Sequence, residues 1–330
     1  MSFGAGVGSM PGEDFAESLR VVIGETPDLI AVPELPARGV AAGMTGRAMG
    51  VLAGLGADLQ PAGWRLTGGG GGVDQRRARS LLGQDLDTVE EQLSAASGRY
   101  QGFNGTLKLQ VAGPWTLAAT VERPRGDRIL ADHGARRDLA QSLAEGVREQ
   151  LADVARRVPG ASLILQVDEP ALTAVLTAQI PTASGWGRHR SIYAPEADAA
   201  LRLFTEAAHA AGARAVLHSC APDVPVKLIA GAEFDALSFD VTLASGSDEW
   251  AGAFDDGMDL WPGVVPSTDT ENVKDSALIH RVDAFFERLG FDPESVADRL
   301  VVTPTCGLAG ASPSWARGAL ALAQAVGAAR

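Results

Sequence analysis

The chain has 330 residues, is 46% hydrophobic and carries a formal net charge of −13 with an isoelectric point near 4.8. That balance argues against nucleic acid or an anionic membrane surface as partner, because both need basic faces. With two cysteines, Cys220 and Cys306, no disulfide framework is expected. Met1-Ser2-Phe3-Gly4 opens no basic-then-apolar leader, and no apolar run reaches spanning length, so a cytoplasmic protein is expected.

Short apolar runs alternate with longer Ala/Leu/Glu/Arg segments. The runs predict eight strands: Phe3–Ser9, Leu29–Glu34, Leu107–Ala112, Leu163–Asp168, Ala213–His218, Ala236–Asp240, Leu260–Val265 and Leu300–Pro304. Helices are expected over Arg137–Arg157, Pro195–Ala211 and Ser276–Gly290. Strands separated by helices pair in parallel through crossovers. Eight such units predict an α/β chain forming a single (β/α)8 TIM barrel over residues 1–330, with a doubly wound open sheet as the alternative. Pro36–Phe103 is too long for one crossover and predicts a long insertion after the second strand. It holds five glycines in a row, Gly68–Gly72, read as a surface loop or as a lid over the mouth. Arg76-Arg77-Ala78-Arg79 and an expected helix, Thr88–Ala96, follow.

The unusual residues fall at strand ends. Gly8-Ser9, Glu34, Gly113-Pro114, Asp168-Glu169, His218, Cys220, Asp240 and Cys306 all lie at or just beyond the C-terminal end of a strand. In a barrel those ends share one face, where barrel enzymes build their sites. Gly4-Ala5-Gly6-Val7-Gly8-Ser9 lacks the spacing of a dinucleotide fingerprint. It reads either as a turn whose amides hold a carboxylate or as an ordinary glycine turn.

Gln166-Val167-Asp168-Glu169-Pro170 puts two carboxylates at the end of an apolar strand, where they need a cation, a ligand amine or donors. The bland alternative is that Glu169 pairs with a neighbouring loop while Asp168 caps the next helix. His218 and Cys220, two apart on one strand, point to the same side. Joined by Cys306 from an equivalent strand end, they predict a zinc site. Taken alone, His218 reads more plainly as a core histidine and Cys220 as a small buried hydrophobe.

The pattern resembles the catalytic C-terminal barrel of cobalamin-independent methionine synthase. The resemblance runs from Gly8-Ser9 to Gly307-Leu308. It is carried by Gln166-Val167-Asp168-Glu169-Pro170-Ala171-Leu172, by His218-x-Cys220 and by Pro304-Thr305-Cys306-Gly307-Leu308. It implies a zinc-dependent thiol methyltransferase, Zn²⁺ being held by His218, Cys220, Cys306 and, where the family has Glu, Asp240. It also implies homocysteine held at Gly8, Ser9, Glu34 and Asp168, with methionine as product. Full-length members carry a second, N-terminal half, so the chain is similar to the short, core-only members. The family places a His in the loop after the seventh strand. Here that stretch reads Pro262-Gly263-Val264-Val265-Pro266-Ser267-Thr268-Asp269, with Thr268 or Asp269 in its place. Methyltetrahydrofolate, a methylated corrinoid carrier protein or another small methyl carrier are therefore all open as donors. Another thiol acceptor such as coenzyme M, zinc-free porphyrin decarboxylation, and a non-catalytic zinc or amino-acid binder are the rivals.

Overall fold

The structure is a computed structural model that describes residues 3–93 and 103–330. In chain order it runs β1 (Phe3–Gly4), α1 (Phe15–Glu25), β2 (Leu29–Ala31), α2 (Met44–Val51), β3 (Ala57–Gln60), β4 (Gly63–Leu66), α3 (Val73–Leu93), β5 (Thr106–Ala112) and α4 (Pro114–Thr120). It continues with α5 (His133–Arg157), β6 (Ser162–Asp168), α6 (Leu172–Leu176), α7 (Ala194–Ala210), β7 (Arg214–Ser219), α8 (Val226–Gly231) and β8 (Ala236–Asp240). Last come α9 (Asp248–Asp255), β9 (Asp259–Val265), α10 (Asp275–Arg288), β10 (Val301–Pro304) and α11 (Pro313–Ala328).

Eight strands pair in parallel in the order β1-β10-β9-β8-β7-β6-β5-β2. A parallel bridge between Ser9 and Glu34 closes the ring. There the Met10 amide donates to the Glu34 carbonyl (2.8 Å) and the Glu34 amide to the Gly8 carbonyl (3.1 Å). The eight predicted strands are all present, as a TIM-type barrel. The first two are shorter than expected, because past Gly4 and Ala31 the chain holds its neighbours through single bonds and that one bridge.

Strand parity sorts the barrel interior into layers. Ala5, Leu29, Ile164, Val216, Ala236, Trp261 and Val301 form a buried apolar plug. Two residues further along each strand, on the same face, Gln166, His218, Ser238 and Thr303 make a buried polar layer, joined by Lys108 from β5. Two further again come Asp168 and Cys220. Polarity thus rises toward the C-terminal mouth.

The larger apolar core lies outside the wall, between strands and helices. Helix starts are set by caps: the Asp14, Asp132 and Ser312 side chains accept the amides of Glu17, Ala135 and Trp315. Gly4 lets α11 touch β1. A Cβ there would lie 2.2 Å from the Gln324 amide nitrogen, so any side chain would push the last helix off the barrel.

The insertion after β2 contains α2, the antiparallel hairpin β3–β4 and α3. The helix expected over Thr88–Ala96 starts much earlier, at Val73, and its last residues, 94–96, lie outside the described residues. Its early turns are fixed by tertiary contacts that local propensity does not carry. Gln75 donates to the Met49 and Leu55 carbonyls and accepts from the Ala57 amide. Arg79 donates to the Gly50 and Leu52 carbonyls at the end of α2, and Arg76 bonds the Gly71 carbonyl. Gly68–Gly72 is the loop joining β4 to α3, and a Cβ on Gly72 would lie 2.8 Å from that of Asp58. No helix among the described residues is long and apolar enough to cross a membrane.

Candidate metal centre and acidic pocket

His218 and Cys220 stand at the end of β7, and Cys306 two residues past β10. Their ligand atoms lie within 4.8 Å of one another, and they are the one such group found among the described residues. His218 is buried. Its Nδ1 lies 2.9 Å from the Ser238 hydroxyl, while its Nε2 is buried with no hydrogen-bond partner among the described residues. With Nδ1–H donating to Ser238, Nε2 keeps a lone pair that could serve a metal ion.

Both cysteines are free and half-buried, with sulfurs 2.7 Å apart. The hydrogen bond from Cys220 holds the Cys306 thiol down to about 4, helped by His218 and opposed by burial, while the same bond and burial push Cys220 up. One of the pair is thus a ready thiolate. An imidazole nitrogen with two sulfurs is the donor set zinc takes, and the orphaned Nε2 is what such an ion would satisfy.

Asp240 does not join that group. Its Oδ1 accepts from the Thr242 amide (2.8 Å) and hydroxyl (2.7 Å), a local turn that faces the carboxylate to its own loop.

Beside the sulfurs lies a buried charged network. Glu34 Oε1 accepts from Arg47 Nε (3.1 Å), Arg47 continues to Asp85 (3.2 Å), and Arg38 clamps Asp85 with two bonds of 2.8 and 2.7 Å. Burial nevertheless raises the Glu34 carboxyl above its usual range, against the pull of Arg47 and Lys108. Asp168 is pushed up to about 7 by burial, with His218 opposing. Its Oδ1 accepts from Gln166 Nε2 at 2.7 Å. The fully buried Lys108 donates to the Val7 carbonyl (2.7 Å) and to Gln166 Oε1, and burial lowers it to about 7.

Gly8 packs on Gln110, and Ser9 sits against Gly307, where a Cβ would lie 2.0 Å from the Ser9 hydroxyl. The Leu308 amide donates to the Ser9 carbonyl at 2.8 Å, so the Gly8-Ser9 turn is tied directly to the Cys306 loop.

Glu169 has another job. It is wholly buried, and its two oxygens accept the Trp115 and Thr116 amides (both 2.8 Å) and the Thr116 hydroxyl (2.7 Å) at the start of α4. The plainer of the two readings of this pair gave the cap to Asp168 and a loop partner to Glu169. The structure gives the cap to Glu169, on the helix after β5, and leaves Asp168 facing the barrel interior. Thr268 is exposed on the loop after β9, and Asp269 accepts the amide (2.8 Å) and hydroxyl of Ser312.

The structure thus brings together Gly8, Ser9, Glu34, Asp168, His218, Cys220 and Cys306 at one mouth, and sets Asp240 and Thr268 apart. Sequence reasoning missed Arg47, Asp85, Ser238 and Lys108. A signal existed for the last: Leu107-Lys108-Leu109 interrupts an apolar strand with one of the chain's few lysines. Ser238→Ala removes the partner that fixes the His218 ring. Metal affinity is expected to fall about 10–100-fold, read by competition with a chromogenic chelator; an unchanged affinity refutes the role.

A family model described as "Cobalamin-independent synthase, Catalytic domain" matches residues 88–330. A solved methyltransferase from Methanosarcina mazei is similar in fold, with a TM-score of 0.53 at 15% identity over 98% of this chain and 94% of that one. The structure of an uncharacterized protein aligns over 74% of this chain and 67% of its own, at 13% identity and a TM-score of 0.27, too low to carry an argument. A search of curated proteins finds no match. With nearly three quarters of its length matched, and a parallel barrel carrying the His/Cys/Cys cluster at its mouth, the chain belongs to the family of cobalamin-independent synthase catalytic domains.

Proposed function

We propose that the protein is a zinc-dependent thiol methyltransferase that converts homocysteine to methionine, with residues 3–330 acting as one unit. The observation that carries this reading is the unpartnered Nε2 of His218 facing the sulfurs of Cys220 and Cys306 beside the buried Asp168. His218, Cys220 and Cys306 are the residues that hold the ion. Bound there, zinc supplies Lewis acidity that strips the proton from a substrate thiol.

The chain's own residues orient the substrate. Glu34 and Asp168 take the α-ammonium, whose charge also favours their ionised forms. The Gly8-Ser9 turn takes the carboxylate. Sulfur attacks the methyl carbon, the S–CH₃ bond forms as the bond to the donor breaks, and the donor leaves with the bonding electron pair.

The donor side favours a leaving group that needs no proton. The Ser312 hydroxyl and amide hold the Asp269 carboxyl below its ordinary range, so it stays ionised at neutral pH. Thr268 is a poor acid at that pH. A methylcorrinoid, free or on a carrier protein, therefore fits better than methyltetrahydrofolate. Two free cysteines in one site suit a reducing, cytoplasmic setting.

The test is methionine formation by the zinc-loaded protein from homocysteine with methylcobalamin or methyltetrahydrofolate, run alongside coenzyme M. Faster turnover of homocysteine with methylcobalamin is expected. Preferred methylation of coenzyme M reassigns the acceptor. Absence of zinc from the purified protein together with no methyl transfer to any thiol overturns the reading.

A further inference from the structure

Lys108 is fully buried in the middle of β5, inside the barrel. A lysine in that position costs stability unless its charge is compensated, and an apolar residue would extend the plug beneath it. Its surroundings show what it does. The ammonium has donors only. One goes to the Val7 carbonyl at 2.7 Å and another to Gln166 Oε1.

Because Lys108 Nζ donates to Gln166 Oε1, it sets which way the Gln166 amide faces. Oε1 must meet Nζ, so Nε2 is turned to the other side. There it donates to the Val7 carbonyl (3.0 Å) and to Asp168 Oδ1 (2.7 Å). Asp168 Oδ1 is thereby occupied, and Oδ2 takes no hydrogen bond among the described residues. The Val7 carbonyl, gripped twice, immediately precedes Gly8-Ser9. One side chain on β5 thus orders both the carboxylate on β6 and the turn after β1. Its charge also bears on Glu34 and Asp168 together.

We infer that Lys108 is a positioning residue for the amino-acid end of the substrate: through Gln166 it presents Asp168 to an ammonium, and through Val7 it sets the Gly8-Ser9 turn for a carboxylate. This rests on the thiol-methyltransferase reading but separates from it. A residue serving only the amino-acid end matters for an amino-acid thiol and is irrelevant to a plain alkyl thiol at the same metal.

The test is isothermal titration of the full-length, zinc-loaded protein with L-homocysteine and, separately, with propane-1-thiol. The wild type, Lys108→Met and Gln166→Leu are compared, each with a thermal melt. Both variants are expected to weaken homocysteine binding about tenfold or more, the scale of a lost hydrogen bond to a charged group. Propane-1-thiol binding stays unchanged, and Lys108→Met holds or raises the melting temperature because a desolvated charge is gone.

Unchanged homocysteine affinity in both variants overturns the inference alone. So does an equal loss for both thiols, which marks Lys108 and Gln166 as general supports. A wild type that binds neither thiol overturns the methyltransferase reading, and this inference with it. Should Lys108→Met fail to fold, Gln166→Leu decides by the same comparison of the two thiols.

Discussion

Replacing Cys306 by serine is expected to abolish stoichiometric zinc and methyl transfer together. A serine hydroxyl stays protonated near neutral pH and is a hard, weak ligand, whereas the Cys306 thiol is already held at about 4 by Cys220 and His218. Loss of an outer partner of a metal ligand costs about 10–100-fold in affinity, and loss of a ligand itself exceeds that. Cys306 is only half-buried and stands in a loop, so the variant keeps its fold. The measurement is zinc per chain after dialysis against a weak chelator, with circular dichroism as the fold control. Cys220→Ser moves in the same direction. Asp240→Ala retains zinc, because that carboxylate is spent on Thr242. One zinc per chain in Cys306→Ser would sink the assignment of this residue.

Glu169→Ala is expected to be the most damaging change to stability outside the metal centre. It leaves the Trp115 amide, the Thr116 amide and the Thr116 hydroxyl without their acceptor. A buried donor left without its acceptor costs about 1–3 kcal/mol, and three are left here. The space cannot simply refill, because Gly113 is shaped around this side chain; a Cβ there would lie 2.3 Å from Glu169 Oε1.

The pH dependence gives an independent check. Burial lifts Glu169 from 4.5 to about 7, against its three hydrogen bonds. A carboxyl whose folded value is raised stabilises fully below its unfolded value, and loses that contribution as pH rises through the folded one. The margin of the wild type over Glu169→Gln is therefore largest below pH 4.5 and narrows toward pH 7, as read from urea midpoints. A margin that widens over that interval contradicts the assignment.

The barrel was legible because its wall is written in short apolar runs such as Leu163-Ile164-Leu165, each ending where chemistry begins. The grouping of His218 with Cys220 was legible because strand parity alone puts them on one side. Parity fails at Asp240, where one local turn with Thr242 outweighs the strand's alternation. It also hides Lys108, since a lone lysine in an apolar strand looks like an interruption until its partners after β1 and on β6 are known. The division of labour between Asp168 and Glu169 depends on a helix some fifty residues upstream, a contact no local pattern carries. The early start of α3 is hidden for the same reason: Gln75 and Arg79 are anchored by α2 and the β3–β4 hairpin rather than by their own neighbours.

The chain of alternating charges from Glu34 through Arg47 and Asp85 to Arg38 bears on how this sequence is free to drift. Each inner member answers a neighbour on either side, so a single neutral replacement of Arg47 or Asp85 leaves the charge at the end of the chain without its partner. Change there has to come in opposite-sign pairs that leave the rest matched, Glu34 with Arg47 or Asp85 with Arg38. Glu34 sits at the mouth and Asp85 on α3, so the insertion is electrically joined to the residues at the mouth. Among descendants of this sequence the two should be inherited, exchanged or lost together.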